Sequence, residues 1–316
     1  MELIKLDSKI DFLGKRNIAL LISALMLTVS LLAIVPGIRG LNFGIDFTGG
    51  TLVEVQFKQA PVIADVREAL APVGYGNAII QTFGAPEEIL IRVQNKSNTN
   101  SSAISDAILS SLKNKFSDNE MDMRRVEFVG PQVGEELTQA GISAVAIAML
   151  AILVYVTVRF ELRFALGADA ALIHDILIVL GVFALLGKEF SLPVVAAILA
   201  VIGYSLNDTI VVFDRIRENL AANSKLKNPL GETEVCNASV NQTLSRTLMT
   251  SFTTLLVVFA LFFLGGEVIH GFAFALLVGI GVGTYSSIFI ASPIMLSLAG
   301  RFQSDEEEQA KIDARP

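Results

Sequence analysis

The chain of 316 residues is 53% hydrophobic and only 17% charged, with a mean hydropathy of +0.61, which is too apolar for an ordinary soluble domain. Its formal net charge of −7 gives no reason to expect nucleic-acid binding. The single cysteine, Cys236, excludes an internal disulfide framework and a cysteine-based zinc cluster. The composition therefore predicts a membrane protein with no metal centre and no cofactor.

Six long apolar runs predict six membrane-spanning helices. Each run is long enough to cross a hydrocarbon core of roughly 30 Å at about 1.5 Å per residue. The predicted spans are residues 18–36, 138–158, 164–186, 192–213, 247–264 and 268–298. The first follows Lys15 and Arg16 but ends without a small-residue cleavage site, so we interpret it as a retained anchor and not as a signal peptide.

Basic residues are distributed unevenly around the spans. They precede the first span and fill the second-to-third and fourth-to-fifth connections, whereas the opposite short loops hold only Lys188, Glu189 and Glu267. The positive-inside rule therefore predicts that both termini are cytoplasmic. The predicted segments are a cytoplasmic N-terminal segment (1–17), a first transmembrane helix (18–36), an outside domain (37–137), a five-helix transmembrane region (138–300) with a cytoplasmic loop (214–245), and an acidic cytoplasmic tail (301–316).

The outside segment has the pattern of a small α/β domain. The runs TLVEVQF, NAIIQTF, EILIRVQ and MRRVEFVG are strand-like, and two amphipathic helical stretches separate the first from the second and the third from the fourth. The order β-α-β-β-α-β is that of a ferredoxin-like sandwich. The domain has no histidine, no cysteine and no phosphate-cradling loop, so we interpret it as a binding or gating module and not as an enzyme.

The stretch GIDFTGG joins the first span to this domain. Gly44, Gly49 and Gly50 permit backbone conformations that a side chain would forbid, and Asp46 or Thr48 can hydrogen-bond turn amides. We interpret the stretch as a structural elbow. Direct contact with a substrate is the alternative.

Asp208 lies inside the fourth predicted span, where a charge costs several kcal/mol unless it is compensated. It is about 17 residues from the outer end of that span, and Arg246 is about 19 residues from the outer end of the fifth span. Both therefore lie roughly 25 to 28 Å from the outer ends of their helices. Opposite charges at matching depth on consecutive antiparallel spans can meet. The alternatives are a helix-end role for Asp208 and an ordinary positive-inside flank for Arg246.

Further polar residues accompany this pair. His174 and Asp175 lie near the middle of the third span, where a histidine suits proton relay and a polar pair that satisfies a neighbouring helix is an equal alternative. Asn207 adjoins Asp208 among hydroxyl side chains that either solvate a charge or pack helices. In the sixth span, Gly271, Gly279 and Gly283 form part of a small-residue stripe, which predicts a helix-packing face against either span four or a partner subunit.

Six stretches in order resemble the SecF branch of the SecD/SecF family of bacterial protein-export subunits, within the resistance-nodulation-division superfamily. They are GIDFTGG, RRVEFVGPQVG, HD, GYSLNDTIVVFDRIREN, QTLSRTLMTSFTTL and GVGTYSSIFIASP, spread over residues 37–295. The resemblance implies a polytopic α-helical protein of the bacterial inner membrane, with a ferredoxin-like periplasmic domain between helices 1 and 2. It also implies that Asp208 and Arg246 conduct protons.

The same resemblance implies a set of partners and a non-enzymatic role. The partners are SecD, the SecYEG channel, other Sec accessory subunits, unfolded secreted polypeptide and membrane lipid, with no nucleic acid. The implied function is to use the proton motive force in late steps of export. A small-molecule exporter of the same superfamily and a passive scaffold are the alternatives. An intramembrane aspartyl protease would need two facing carboxyl groups, and the estimated depths of Asp175 and Asp208 differ by about 8 Å.

Overall fold

The computed structural model describes residues 10–94 and 101–299. Within them, six helices are long and apolar enough to cross a membrane, as the sequence predicts. In chain order the elements are α1 (Arg16–Ile34), β1 (Asn42–Phe43), α2 (Ile45–Thr48), β2 (Gly50–Phe57), α3 (Ile63–Leu70), β3 (Ile79–Phe83), β4 (Ala85–Val93), α4 (Ser101–Lys115), β5 (Met121–Val129), α5 (Pro131–Arg159), α6 (Leu162–Leu186), β6 (Glu189–Phe190), α7 (Leu192–Asn223), α8 (Glu232–Leu264) and α9 (Glu267–Ser286). The acidic tail predicted at 301–316 lies outside the described residues.

Several helices extend beyond the predicted apolar spans. α5 begins at Pro131. Proline is favourable at the first helical position, because the backbone N–H that it lacks would have no partner within the helix. α7 and α8 contain 32 and 33 residues, so at about 1.5 Å per residue each is longer than a hydrocarbon core. The segment predicted as a loop, 214–245, is therefore mostly helical. In the part that extends beyond the hydrocarbon core, a hydrogen bond joins the two helices: the Asn219 side-chain amide donates to Ser239 Oγ at 2.8 Å.

The bundle is built around α6, α7 and α9, whereas α1, α5 and α8 lie at its periphery. One buried cluster includes Phe164, Phe213 and Met295, and a second includes Phe183 and Ile198. The peripheral helices present large apolar side chains on their outer faces. Such faces suit contact with lipid chains, because lipid imposes no cost on exposed hydrocarbon.

The glycine stripe of α9 packs against α7. A methyl group at Gly279 would overlap the Val201 side chain, and one at Gly283 would lie 3.0 Å from Ser205 Cβ. Gly271 is in ordinary contact distance of Val194. Of the two packing partners left open by the sequence, the structure shows α7, since small residues let the two backbones approach closely.

The segment between α1 and α5 contains a four-stranded antiparallel sheet in the order β3-β4-β2-β5. The helices α3 and α4 cover one face of it. Alternate residues of the central strands point into this core because side chains alternate across a strand. The core includes Val53, Val55, Ile89, Ile91, Val66, Leu70, Ile104, Ile108 and Leu112. The opposite face of the sheet lies toward the membrane bundle, where Leu52 and Leu90 pack on Ile45 of α2.

Candidate functional site

The inner face of α7 carries the polar residues of the candidate site. Ser205, Asp208 and Thr209 stand three and four residues apart, so their side chains project from one face of the helix. All three are buried, with Asp208 only 6% exposed. The helix α7 thus buries a carboxyl group inside the bundle.

One oxygen of the Asp208 carboxyl group, Oδ2, has no hydrogen-bond partner of good geometry among the described residues. The Thr247 and Ser287 hydroxyls lie beside it. Nevertheless, Asp208 Oδ2 and Thr247 Oγ1 are buried and make no hydrogen bond within the part of the chain that the structure describes. Buried polar atoms are nearly always paired, so an unpaired carboxylate oxygen inside a membrane helix is a candidate for a functional group.

Arg246 and Asp208 form no ion pair in the part of the chain that the structure describes. A positive charge favours the ionised form of a nearby carboxyl group, but the ion pairs within 4.0 Å do not include these two side chains. The next residue, Thr247, is 1% exposed and faces the bundle. Since consecutive helical residues point about 100° apart, Arg246 is turned to the exposed face of α8. The structure therefore does not join the two charges as their matching depth suggested.

Asn207 is also on an outer face. It is exposed on α7 while its neighbour Asp208 is buried. Ala196, Ala200 and Gly203 are exposed along the same side of the helix, and no atom lies within 4 Å of the position that a Cβ on Gly203 would take. Asn207 therefore belongs to a narrow exposed stripe of small and polar residues and not to the buried centre.

His174 and Asp175 form a second buried centre. His174 Nδ1 lies 3.0 Å from Asp175 Oδ1, and Asp175 Oδ2 accepts hydrogen bonds from Ser205 Oγ at 2.7 Å and Ser286 Oγ at 2.8 Å. His174 Nε2 is buried and makes no hydrogen bond within the described residues. The His174 ring is stacked on Tyr285, with ring centroids 6.3 Å apart. The two residues thus share one site, which their adjacency in the sequence did not require.

Two neighbouring serines, Ser286 at the end of α9 and Ser287 directly after it, each lie beside one of the two carboxyl groups. Ser286 donates to Asp175, and Ser287, beside Asp208, is 2.9 Å from Thr209 Oγ1. Ser287 begins a π-helical turn, Ser287–Ala291, after which the helix continues to residue 299. Short π-helical turns within α-helices occur frequently at functional sites. The sequence interpretation did not assign Ser286 or Thr209 a role, although their hydroxyls inside apolar spans were a signal.

Comparison with known proteins identifies the family. The sequence model of "Protein export membrane protein SecD/SecF, C-terminal" matches residues 108–301, and that of the "SecD/SecF GG Motif" matches residues 34–61. The protein translocase subunit SecF of Magnetococcus marinus is 52% identical over 288 residues, 90% of this chain and 91% of that relative. The SecF subunit of Desulfurispirillum indicum is 50% identical over 309 residues, 97% and 96% of the two chains. The chain belongs to the SecD/SecF family.

Two solved structures of SecDF are similar in overall fold to this chain. The crystal structure of SecDF, a translocon-associated membrane protein from Thermus thermophilus, matches 94% of this chain with a TM-score of 0.83 and 37% identity. SecDF in its super-membrane-facing form matches 98% with a TM-score of 0.67 and 38% identity. The present chain spans about 40% of the length of those SecDF chains.

The SecD/SecF GG motif forms the elbow between α1 and the sheet. Gly49 and Gly50 have φ angles of +66° and +134°, which L side chains rarely adopt. A Cβ at Gly49 would also lie 2.9 Å from Pro131 Cα, and one at Gly50 would lie 2.5 Å from the Val93 carbonyl oxygen. Gly44 donates its N–H to the Phe190 carbonyl at 2.8 Å. The motif therefore fills a position where three backbone segments come together.

Proposed function

We propose that this chain is a subunit of the Sec translocase accessory complex that uses the proton motive force to drive late steps of protein export. The observation that carries the proposal is Asp208, a buried carboxyl group with an unpaired oxygen inside a membrane helix. A carboxyl group in that setting binds and releases a proton in response to small movements of its neighbours. The relatives' name, protein translocase subunit SecF, supports the cargo assignment.

The proposed path uses both buried centres. Asp208 is the group that changes charge, Arg246 biases it from the exposed face of α8, and Asp175 with His174 forms a second proton-binding site. Ser286, Ser287 and Thr209 provide hydroxyl groups between them. Each proton that enters down a 100 mV potential supplies about 2.3 kcal/mol, which shifts a two-state equilibrium roughly 50-fold. That is sufficient to favour alternate arrangements of a bistable bundle.

SecD is the proposed partner at the exposed stripe of α7. Asn207 on α7 and Arg246 and Thr250 on α8 are polar and exposed within membrane-spanning helices. Polar groups of this kind are expensive in lipid and favourable against another helix. The small residues of the stripe would allow a partner helix to approach closely. SecYEG, other Sec accessory subunits and the unfolded secreted chain are the further proposed partners, and lipid surrounds the remaining faces.

The proposed topology has both termini in the cytoplasm of a bacterium and the ferredoxin-like domain in the periplasm. The strand order β3-β4-β2-β5, with two helices on one face, supports the ferredoxin-like assignment. We expect an alkaline phosphatase reporter fused after Lys58 to be active, because this enzyme needs export. A reporter fused after Lys225 should be inactive. The inverse pattern of activities would reverse the proposed orientation.

The proposed function is tested in proteoliposomes that contain this chain, SecD and SecYEG. A preprotein already engaged with the channel is presented, and its completion is measured without ATP while a proton gradient is imposed. We expect the gradient to accelerate completion and a protonophore to remove the acceleration. Acceleration by a sodium gradient alone would contradict the proton assignment. Equal completion with and without this chain would contradict its role in export.

A further inference from the structure

The elbow outside the membrane is attached directly to the start of α7, the helix that carries Asp208. The two-residue strand β1 pairs in parallel with β6, which immediately precedes α7. Gly44 N–H donates to the Phe190 carbonyl in the same connection. Phe47 stacks on Phe190 with ring centroids 5.7 Å apart. The connection between α6 and α7 is therefore part of the same packed unit as the GG motif.

Asp46 provides the most specific of these contacts. Its Oδ2 accepts the Leu192 N–H at 2.7 Å, across 146 positions of sequence. Leu192 is the first residue of α7, and the first N–H groups of a helix have no partner within the helix. Ser191 occupies the N-cap position with extended backbone angles, but its own side chain makes no capping bond. The N-terminus of α7 is therefore capped by the outside elbow and not by its own flanking residue.

Arg92 of the four-stranded sheet also contacts the β1–β6 strand pair. Arg92 of β4 is 3% exposed. Its guanidinium group lies 2.6 Å from Glu189 Oε2 and donates to the Phe43 carbonyl at 2.8 Å and to Asn42 Oδ1 at 3.3 Å. One side chain thus binds both strands of the β1–β6 pair. Burial raises the pKa of Glu189, and the charge of Arg92 opposes that rise.

α7 then runs as one uninterrupted helix from Leu192 to Asn223. Asp208 is sixteen residues along it, about 24 Å from the capped end. A helix without a break transmits displacement along its axis better than one with a hinge. The outside domain and the Asp208 carboxyl group are therefore ends of a continuous chain of contacts.

We propose that Asp46 is a positioning residue that couples the outside domain to the axial position of α7, and so to Asp208. This inference rests on the proposed function. Movement of α7 when Asp208 changes charge would pull on the elbow through the Asp46 cap. Movement of the sheet would act on Asp208 by the same contact. A local capping role without coupling is the competing explanation, and the two are separable by mutation.

The separation uses Ser191, which lies at the N-cap with suitable backbone angles. In Asp46→Ala the cap and the link are both lost. In Asp46→Ala with Ser191→Asp, a local carboxylate caps α7, because aspartate is a favourable N-cap residue. The link to the elbow is still absent in this double variant. Asp46→Asn keeps an acceptor oxygen and so keeps both. Asp122→Ala, which removes an exposed carboxylate from β5, is the matched control.

Two measurements are made on each variant in the full complex at equal abundance. For gradient-stimulated export, we expect at least a tenfold loss in Asp46→Ala and in the Ser191→Asp double variant, with wild-type values in Asp46→Asn and Asp122→Ala. Proton uptake should stay within about twofold of wild type in all of them. Recovery of stimulated export in the double variant would show that Asp46 only caps the helix. Unchanged export in Asp46→Ala, or a loss in Asp46→Asn, would also overturn the proposal.

The second measurement does not depend on proton-driven export. Nitroxide labels at Asp122→Cys and Glu218→Cys, with Cys236→Ser as background, report the distance between the sheet and the far end of α7. We expect a single narrow distance distribution when position 46 is unchanged or carries Asp46→Asn, and a broader one in Asp46→Ala, with or without Ser191→Asp. A narrow distribution in all variants would refute the coupling even if protons drive export. Export that is insensitive to protons, with a distribution that broadens as expected, would instead refute the proposed function alone.

Discussion

Replacing Asp208 by asparagine should leave the chain inserted and assembled, and should abolish the part of export that a proton gradient stimulates. Asparagine has the same size and keeps an acceptor oxygen beside Thr247 and Ser287, so packing around this buried position changes little. It cannot bind and release a proton in the physiological range, so the charge change is lost. The measurement is gradient-driven completion of export in proteoliposomes, at equal abundance of wild type and variant.

Two further variants provide a second test of proton relay and a control for it. Arg246→Met should also remove stimulated export, because the charge that favours the Asp208 carboxylate is lost while Arg246 itself is exposed and tolerates an apolar side chain. Glu218→Gln, which removes an exposed acid from the same helix, should behave as wild type. Normal stimulation in Asp208→Asn would refute proton relay through this residue. Loss of the protein itself would indicate a structural role, in which the buried group is needed for folding.

Replacing Gly49 should damage the elbow and leave ion conduction intact. At φ +66° a residue with a Cβ is strained, typically by about 1 to 3 kcal/mol, and the added atom would lie 2.9 Å from Pro131 Cα. Backbone cannot swing aside as a flexible side chain does. We therefore expect Gly49→Val to lower the unfolding temperature and impair stimulated export, while proton uptake per folded complex stays near wild type.

Gly266 offers a matched control for the Gly49 result. Its backbone angles, φ +74° and ψ 171°, are close to the φ +66° and ψ 166° of Gly49, but no atom lies within 4 Å of the position that a Cβ would take. Gly49→Ala and Gly266→Ala therefore share backbone strain, and only the first adds a collision. We expect a clearly larger fall in unfolding temperature for Gly49→Ala than for Gly266→Ala. Equal effects would mean that strain alone explains the glycine, and loss of proton uptake in folded Gly49→Val would show that the elbow also shapes the ion path.

Local sequence patterns were sufficient to predict the six membrane helices and to identify candidate functional residues. Apolar length and strand or helix periodicity are local properties, so they predicted the spans and the α/β segment before any contact was known. The rarity of charge in lipid singled out Asp208 in the same way. Helix ends were less predictable. α7 and α8 continue past the hydrocarbon because helical backbone needs no lipid to persist.

Which of those residues contact one another depends on how the helices pack in three dimensions. Arg246 faces outward because its neighbour Thr247 occupies the inward direction, a matter of helical phase that depth estimates do not contain. Asp175 is bound by serines on two other helices, 30 and 111 positions away. Asp46 caps a helix that begins 146 residues later. Contacts of this kind depend on how whole helices pack, and no local pattern of residue types encodes the packing partner of a side chain.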